Sequence, residues 1–312
     1  MLDSPFAAEE LSDVDGAVIV ASPDGSAGPK SGISLASLPC IVIAVDRPDT
    51  ANPTWADLIP EAPVASVDDL LGAIERHPVA ATSLALLLRS TQPSLGAALV
   101  AESAVFSLLQ AGPEFRMWRT NHPVPDPVTE EGPAVLIERD GDSLHIVLHR
   151  PQVRNALNRA MRDDLLNALA LAAADASVTE VVLRGDGSSF SSGGDLNEFG
   201  SFVNPASAHL VRLATSIGRA IHALGDRLTV RVHGPCAGSG VELPAFANRV
   251  IARRDFTATL PEVALGLIPG AGGTASITAR IGRQRTALLA VSGARIDAPT
   301  ALEWGLVNAL ED

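Results

Sequence analysis

Three glycine-rich loops constrain this chain more than any other feature: "GDGSSFSSGGDL" (185–196), "HGPCAGSGVEL" (233–243) and "LPEVALGLIPGAGGT" (260–274). The first two leave short apolar runs, "TEVVLR" and "LTVRV", that read as buried strands. Between them "AHLVRLATSIGRAIHALG" carries apolar residues at helical spacing, as "NALNRAMRDDLLNALALAAAD" does before them. A hairpin is expected over "AVLIERDGDSLHIVLHRP", turning at Asp140-Gly141-Asp142, and a further strand over "RVIARRD". The run "GVELPAFAN" is expected to open another helix. Strands alternating with helices predict an α/β fold with crossover connections.

The segment Asn121–Pro133, "NHPVPDPVTEEGP", holds four prolines and three acids. Proline fixes φ and removes a donor, so neither a helix nor a central strand continues through it. The expected division is 1–120, a linker at 121–133, and 134–312. In the first part Ala17–Ala21 and Ile41–Asp46 read as strands. Two or three amphipathic helices follow, broken near "TQPS", with Ser66 as an N-cap ahead of Asp68 and Asp69. Nothing in this half reads as catalytic. With 4% aromatic residues and no tyrosine, the core has to be built from Ala, Val, Leu and Ile.

A net charge of −13 argues against nucleic-acid binding, which needs a basic footprint. Cys40 and Cys236 are the two cysteines, too few and too far apart for a disulfide framework or a zinc site, and they suit a reducing compartment. The opening "MLDSPFAAEELSDVDG" lacks the order of a signal peptide, and the apolar runs are too short to span a bilayer. The expectation is a cytoplasmic protein with no membrane partner.

Glycine after a strand lets a backbone approach a ligand and leaves peptide N–H groups open. Two such loops side by side can aim two donors at one oxygen, an oxyanion hole. Glu242 follows the second loop and Glu262 lies on the third, which adds two carboxyls for proton transfer. The implied chemistry lies next to a carbonyl and passes through an enolate.

The runs "HRPQVRNALN", "FSSGGDL", "GSGVEL", "LPEVALGLIPGAGGT" and "VSGARIDAPTALEWGLV" occur in this order over residues 134–312. They resemble the enoyl-CoA hydratase/isomerase, or crotonase, family. The resemblance implies a crotonase fold, a spiral of ββα repeats with a helical cap and oligomerisation region. It implies that Gly194 and Ser239 supply the oxyanion-hole N–H groups and that Glu242 and Glu262 are the catalytic acids. It places coenzyme A near Arg154, Ala156, Leu157, Gly194, Asp195, Leu196, Asn197 and Ser239. Arg150 and Arg154 are expected to offer a local basic patch for its phosphates.

Members of that family continue past "GLV" with several helices. Here residues 75–119, with "HPVAA" and "AGPEF", resemble that tail. The expectation is a cap moved to the front of the chain, by permutation or fusion.

The resemblance implies an enoyl-CoA hydratase: reversible addition of water to a 2-enoyl-CoA, with no metal or redox cofactor, in a homotrimer or a hexamer of paired trimers. The alternatives are an isomerase, a thioester hydrolase, a carbon–carbon lyase, or a non-catalytic acyl-CoA-binding subunit. Having both glutamates favours hydration, since isomerases of the family commonly keep one. Simpler readings stand beside these: each glutamate as a first-turn acid serving a helix dipole, Asp195 as structural support, Cys236 as a packed thiol. "GLIPGAGGT" lacks the lysine of a phosphate-binding loop, and no histidine has metal-ligand spacing.

Overall fold

The computed structural model describes residues 18–21, 38, 40–44, 55–90, 92–124, 132–200 and 204–312. Two short strands come first, β1 (Val18–Ala21) and β2 (Ile41–Ala44), paired in parallel. The expected extension of the second strand to Asp46, and most of the linker, fall outside the described residues.

Among the described residues four helices follow: α1 (Val67–Arg76), α2 (Pro78–Arg89), α3 (Leu95–Gln110) and α4 (Pro113–Asn121). Ser66 caps α1 as expected, in a reciprocal box with Asp69: the Asp69 N–H donates to Ser66 Oγ, and the Ser66 N–H to Asp69 Oδ2. The sequence reading undercounted the helices because two boundaries are proline starts. Pro78 and Pro113 each open a helix, where the missing N–H costs nothing.

The second half contains β3 (Val135–Asp140), β4 (Ser143–Leu148), α5 (Arg159–Ala174), β5 (Glu180–Gly185), α6 (Pro205–Ala214), α7 (Ile217–Leu224), β6 (Leu228–Val232), β7 (Pro235–Ala237), α8 (Ser239–Glu242), β8 (Arg249–Arg253), β9 (Thr257–Thr259), α9 (Gly273–Ser292), β10 (Ile296–Asp297), α10 (Ala298–Trp304) and β11 (Ala309–Glu311). The expected single helix over 208–225 is two, because Ser216 leaves the helical region and caps α7 through the Arg219 N–H. The expected helix over 240–248 is only the turn α8, cut short by Pro244 and a 3-10 turn.

Among the described residues β3–β11 form two sheets, separate from the β1–β2 pair. One has the order β11-β8-β6-β5-β4-β3, parallel except for the β3–β4 hairpin. The other has the order β10-β9-β7. The chain leaves β6 for β7 and β8 for β9, so successive repeats put one strand in each sheet. The loops after these strands therefore stack on one another.

Residues on both sides of the linker share one hydrophobic core, from Ile43, Leu70 and Leu84 to Val230, Leu289 and Val307. Helices α1 and α2 pack on α9, while α3 packs on α6 and α9. Ion pairs reinforce the junction: Arg285 on α9 to Glu61, 3.1 Å, and Arg283 to Asp57, 3.5 Å.

Candidate active site

Asn155 is fully buried and ties the first loop to the strand ends. Its Nδ2 donates to the carbonyls of Asp186 and Ser189, and its Oδ1 accepts from the Arg150 N–H. The segment 154–157 then clamps the glycine pair. Ser192 N–H donates to Arg154 O, Leu157 N–H to Gly193 O at 2.7 Å, and Asp195 N–H to Leu157 O. Gly193 sits at φ +97°, and a β-carbon there would lie 2.6 Å from Ala237 O. Only glycine permits both that backbone and that approach to the second loop.

The second loop meets the first through the Ala237 N–H, which donates to Ser191 O. Gly238, at φ +49°, faces Glu262 Oε1 so closely that a β-carbon would collide with it. The two loops and Glu262 thus form one contact group. Among the described residues neither the Gly194 N–H nor the Ser239 N–H has a protein acceptor.

The carboxyls beside these loops are buried, Glu242 at 2% and Glu262 at 6% exposure. Glu242 closes α8, and its Oε2 accepts from the Ala271 and Gly273 N–H groups, both at 2.8 Å. Glu262 begins a 3-10 turn after Pro261, and its Oε2 has no hydrogen-bond partner. Neither is a solvated first-turn acid.

A third carboxyl comes from the half that had seemed chemically silent. Glu102 on α3 is 2% exposed. Its Oε1 accepts from the Gly272 N–H at 2.7 Å, and its Oε2 from the Thr274 N–H and hydroxyl at 2.8 and 2.6 Å. The available signal was its position in "LVAESAVF": Leu99, Ser103 and Phe106 mark the buried stripe of α3, and Glu102 lies on it.

Burial disfavours the charged form of each carboxyl. It pushes Glu242 up to about 7 against the opposing N–H groups of the 270–273 turn. It pushes Glu102 up to about 8, helped by the charge of Glu242. Glu262 is raised well above the ordinary carboxylate range by burial, then by Glu242 and Glu102. Two N–H donors favour the carboxylate of Glu242; Glu262 Oε2 has no partner, and burial favours its protonated form.

The remaining expected positions line the rim. Ala156 and Leu157 are half-buried against the glycine pair, while Arg154, Leu196 and Asn197 are exposed. Asp195 pairs with Arg150 at 3.2 Å. Arg150 is therefore not part of a surface basic patch, as the sequence suggested; it is 4% exposed and also bonds Ala156 O. Its charge holds the loop in place. Arg119 of α4 grips the far side, donating to Leu196 O and Phe199 O. Cys236 is a buried free thiol pushed up to about 12 by burial, so it has no thiolate to attack with.

A wide concavity of about 970 Å³ contains none of Gly194, Ser239, Glu242 or Glu262. A smaller cavity of about 160 Å³ also contains none of the four but adjoins them, lined by Leu157, Leu243, Glu102 and the Gly270–Gly272 turn whose Ala271 N–H binds Glu242.

A sequence model of the enoyl-CoA hydratase/isomerase family matches residues 139–311. This chain belongs to that family. The 2,3-dehydroadipyl-CoA hydratase of Escherichia coli is 33% identical over 174 residues, 56% of this chain and 68% of that protein. The trans-2-decenoyl-[acyl-carrier-protein] isomerase of Streptococcus mutans is 30% identical, over 55% of this chain and 67% of its own length. The crystal structure of enoyl-CoA hydratase from Thermoplasma volcanium GSS1 superposes with a TM-score of 0.54 at 35% identity, covering 58% of this chain and 73% of that one. The fold is the crotonase fold. The aligned region amounts to about two thirds of these relatives' lengths, and the family-model match begins after the linker.

Proposed function

We propose that this family member is an enoyl-CoA hydratase. One observation carries the reading: two buried carboxyls, Glu242 and Glu262, flank two loops whose Gly194 and Ser239 N–H groups are unspent. An isomerase moves one proton between two carbons and can manage with a single carboxyl. Hydration must deprotonate water and protonate carbon, which calls for a base and an acid together.

The thioester oxygen is bound by the Gly194 and Ser239 N–H groups, which makes C3 electrophilic. Glu242, the carboxylate held by two amides, takes a proton from water as the oxygen bonds to C3. The C2=C3 pair shifts into a C1=C2 bond and the carbonyl pair moves onto the thioester oxygen, which gives the enolate. Glu262 then gives its proton to C2 and the carbonyl reforms. Both added groups come from water, so the step requires neither metal nor redox cofactor. Each oxyanion-hole donor is worth about 2.7–4 kcal/mol of barrier. Arg154, Ala156, Leu157, Leu196 and Asn197 form the proposed coenzyme A rim, and α1–α4 the proposed cap.

The test is loss of the conjugated thioester absorbance of a short 2-enoyl-CoA, with the 3-hydroxyacyl product identified by mass. Hydration predicts that loss. No loss at any chain length, or conversion to a 3-enoyl product of unchanged mass, overturns the reading.

A further inference from the structure

One wall of the small cavity beside the site carries a cation, Arg212. Its wall against the catalytic centre is the Gly270–Gly272 turn, whose amides hold Glu242 and Glu102, together with Leu157, which neighbours Gly194. Leu99, Leu213, Ile217 and Leu243 give it apolar sides. Arg212 of α6 and Ser103 of α3 also line it.

Arg212 is half-buried and lacks a counter-ion. Its Nε donates to Ser103 Oγ at 3.1 Å, and its Nη2 to Ser107 Oγ and, at 3.4 Å, to Ser103 O. These acceptors are neutral. Among the described residues no carboxylate forms an ion pair with the guanidinium, and its hydrogen bonds all run from Nε and Nη2. Glu102, the carboxyl that acts on it electrostatically, is committed to the Gly272 and Thr274 amides. Arg162, the other cation on the cavity wall, is already bound by Asp163 at 2.8 Å. Burial lowers Arg212 to about 10, which leaves it charged at neutral pH. Phe106 supports the guanidinium from one face, 4.6 Å from its ring centre.

We infer that Arg212 binds the far end of the acyl chain, so that the preferred substrate is a short thioester whose acyl group ends in a carboxylate. This deepens the hydratase reading and rests on it for the location of the acyl group. A buried cation is costly unless paired, and a guanidinium accepts carboxylate through two parallel N–H bonds. An alkyl terminus in the same place strips water from Arg212 and returns nothing, so the site selects against it. The cavity holds roughly five water-sized groups at about 30 Å³ each, which limits the chain to a few carbons beyond the reacting pair.

The test uses saturated thioesters, which bind without turnover. Calorimetric titration of the full chain compares hexanedioyl-CoA, its ω-methyl ester and hexanoyl-CoA. The expected result is at least about tenfold tighter binding of hexanedioyl-CoA than of either uncharged analogue. Arg212→Met is expected to abolish that preference while leaving free coenzyme A affinity unchanged, and Arg212→Lys to keep part of it. Equal binding of the acid and its methyl ester by the unmodified protein overturns the inference, and so does a preference that survives Arg212→Met. The ester comparison needs no variant, so a misfolded Arg212→Met protein leaves the question decidable. A tenfold preference without hydration of the 2,3-dehydro forms removes the hydratase reading and keeps this one.

Discussion

Glu102 and Glu242 take alternate amides of one turn: Glu242 accepts from Ala271 and Gly273, and Glu102 from Gly272 and Thr274. Four consecutive N–H groups, from Ala271 just ahead of the N-cap Gly272 to Thr274 in the first turn of α9, are thereby satisfied by side chains from opposite halves of the chain. Glu102→Ala strands two of these donors in a buried place. It should cost about 2–4 kcal/mol in urea unfolding. It should also slow turnover by up to about a hundredfold, because the turn that fixes Glu242 loosens. An unfolding midpoint like that of the unmodified protein would contradict this.

Glu262→Gln retains the shape of the side chain and removes the proton donor. Turnover should fall by about a hundredfold to ten-thousandfold, with coenzyme A affinity unchanged in equilibrium binding. Turnover within about threefold of the unmodified enzyme would assign the C2 proton to another group.

The pH dependence follows from carboxyls whose folded-state values are raised. Such groups bind more protons folded than unfolded above the ordinary value of 4.5, so stability declines as pH rises. The contribution is complete below 4.5 and lost as pH passes about 7 for Glu242 and about 8 for Glu102. Thermal melts should therefore show a falling Tm between those limits, and Glu102→Gln should flatten the upper part. The rate should rise through about pH 7 as Glu242 ionises, and fall again at higher pH as Glu262 loses its proton.

Gly194 and Ser239 should respond differently to alanine. At Gly194 the added carbon would lie 2.6 Å from Phe199 Cε1, so the ring and the loop must move, and turnover should drop. At Ser239 the backbone N–H matters, and the buried Oγ has no partner. Ser239→Ala should keep turnover within about threefold and leave stability unchanged or slightly higher. A large loss of rate in Ser239→Ala would give the hydroxyl a direct role.

Asp57 lies 2% exposed against Arg89, 2.5 Å away, and also accepts from the Val42 N–H. Asp57→Ala removes the buried carboxylate that pairs with the 5%-exposed Arg89 guanidinium. About 3–5 kcal/mol of stability should be lost, measured by urea denaturation. A smaller loss would show that Arg89 finds compensation in the Leu38 and Cys40 carbonyls it also binds.

Much of the site was legible because its signals are local. Glu242 and Glu262 stood out because each lies on or just after a glycine-rich loop, whereas Gly194 and Ser239 were named through the family resemblance of those loops; the fold brings the loops and both buried carboxyls together. The role of Glu102 was not legible, because its partners lie 170 and 172 residues away and nothing in the sequence of α3 names them. Arg150 misled for a related reason: an arginine next to an exposed loop reads as surface charge until Asp195 is seen to occupy it. Helix boundaries at Pro78, Pro113 and Ser216 were misplaced where a cap or an N1 proline starts a new helix within continuous apolar periodicity.

The order of α3 and the 271–274 turn also bears on how the molecule is made. Helix α3 leaves the ribosome long before the amides that Glu102 will accept from have been synthesised, so its apolar stripe and buried acid wait without their partners. These contacts close over 170 and 172 residues, the kind of long-range pairing that slows folding. Growth at higher temperature should consequently cost this protein yield before it costs the finished enzyme activity.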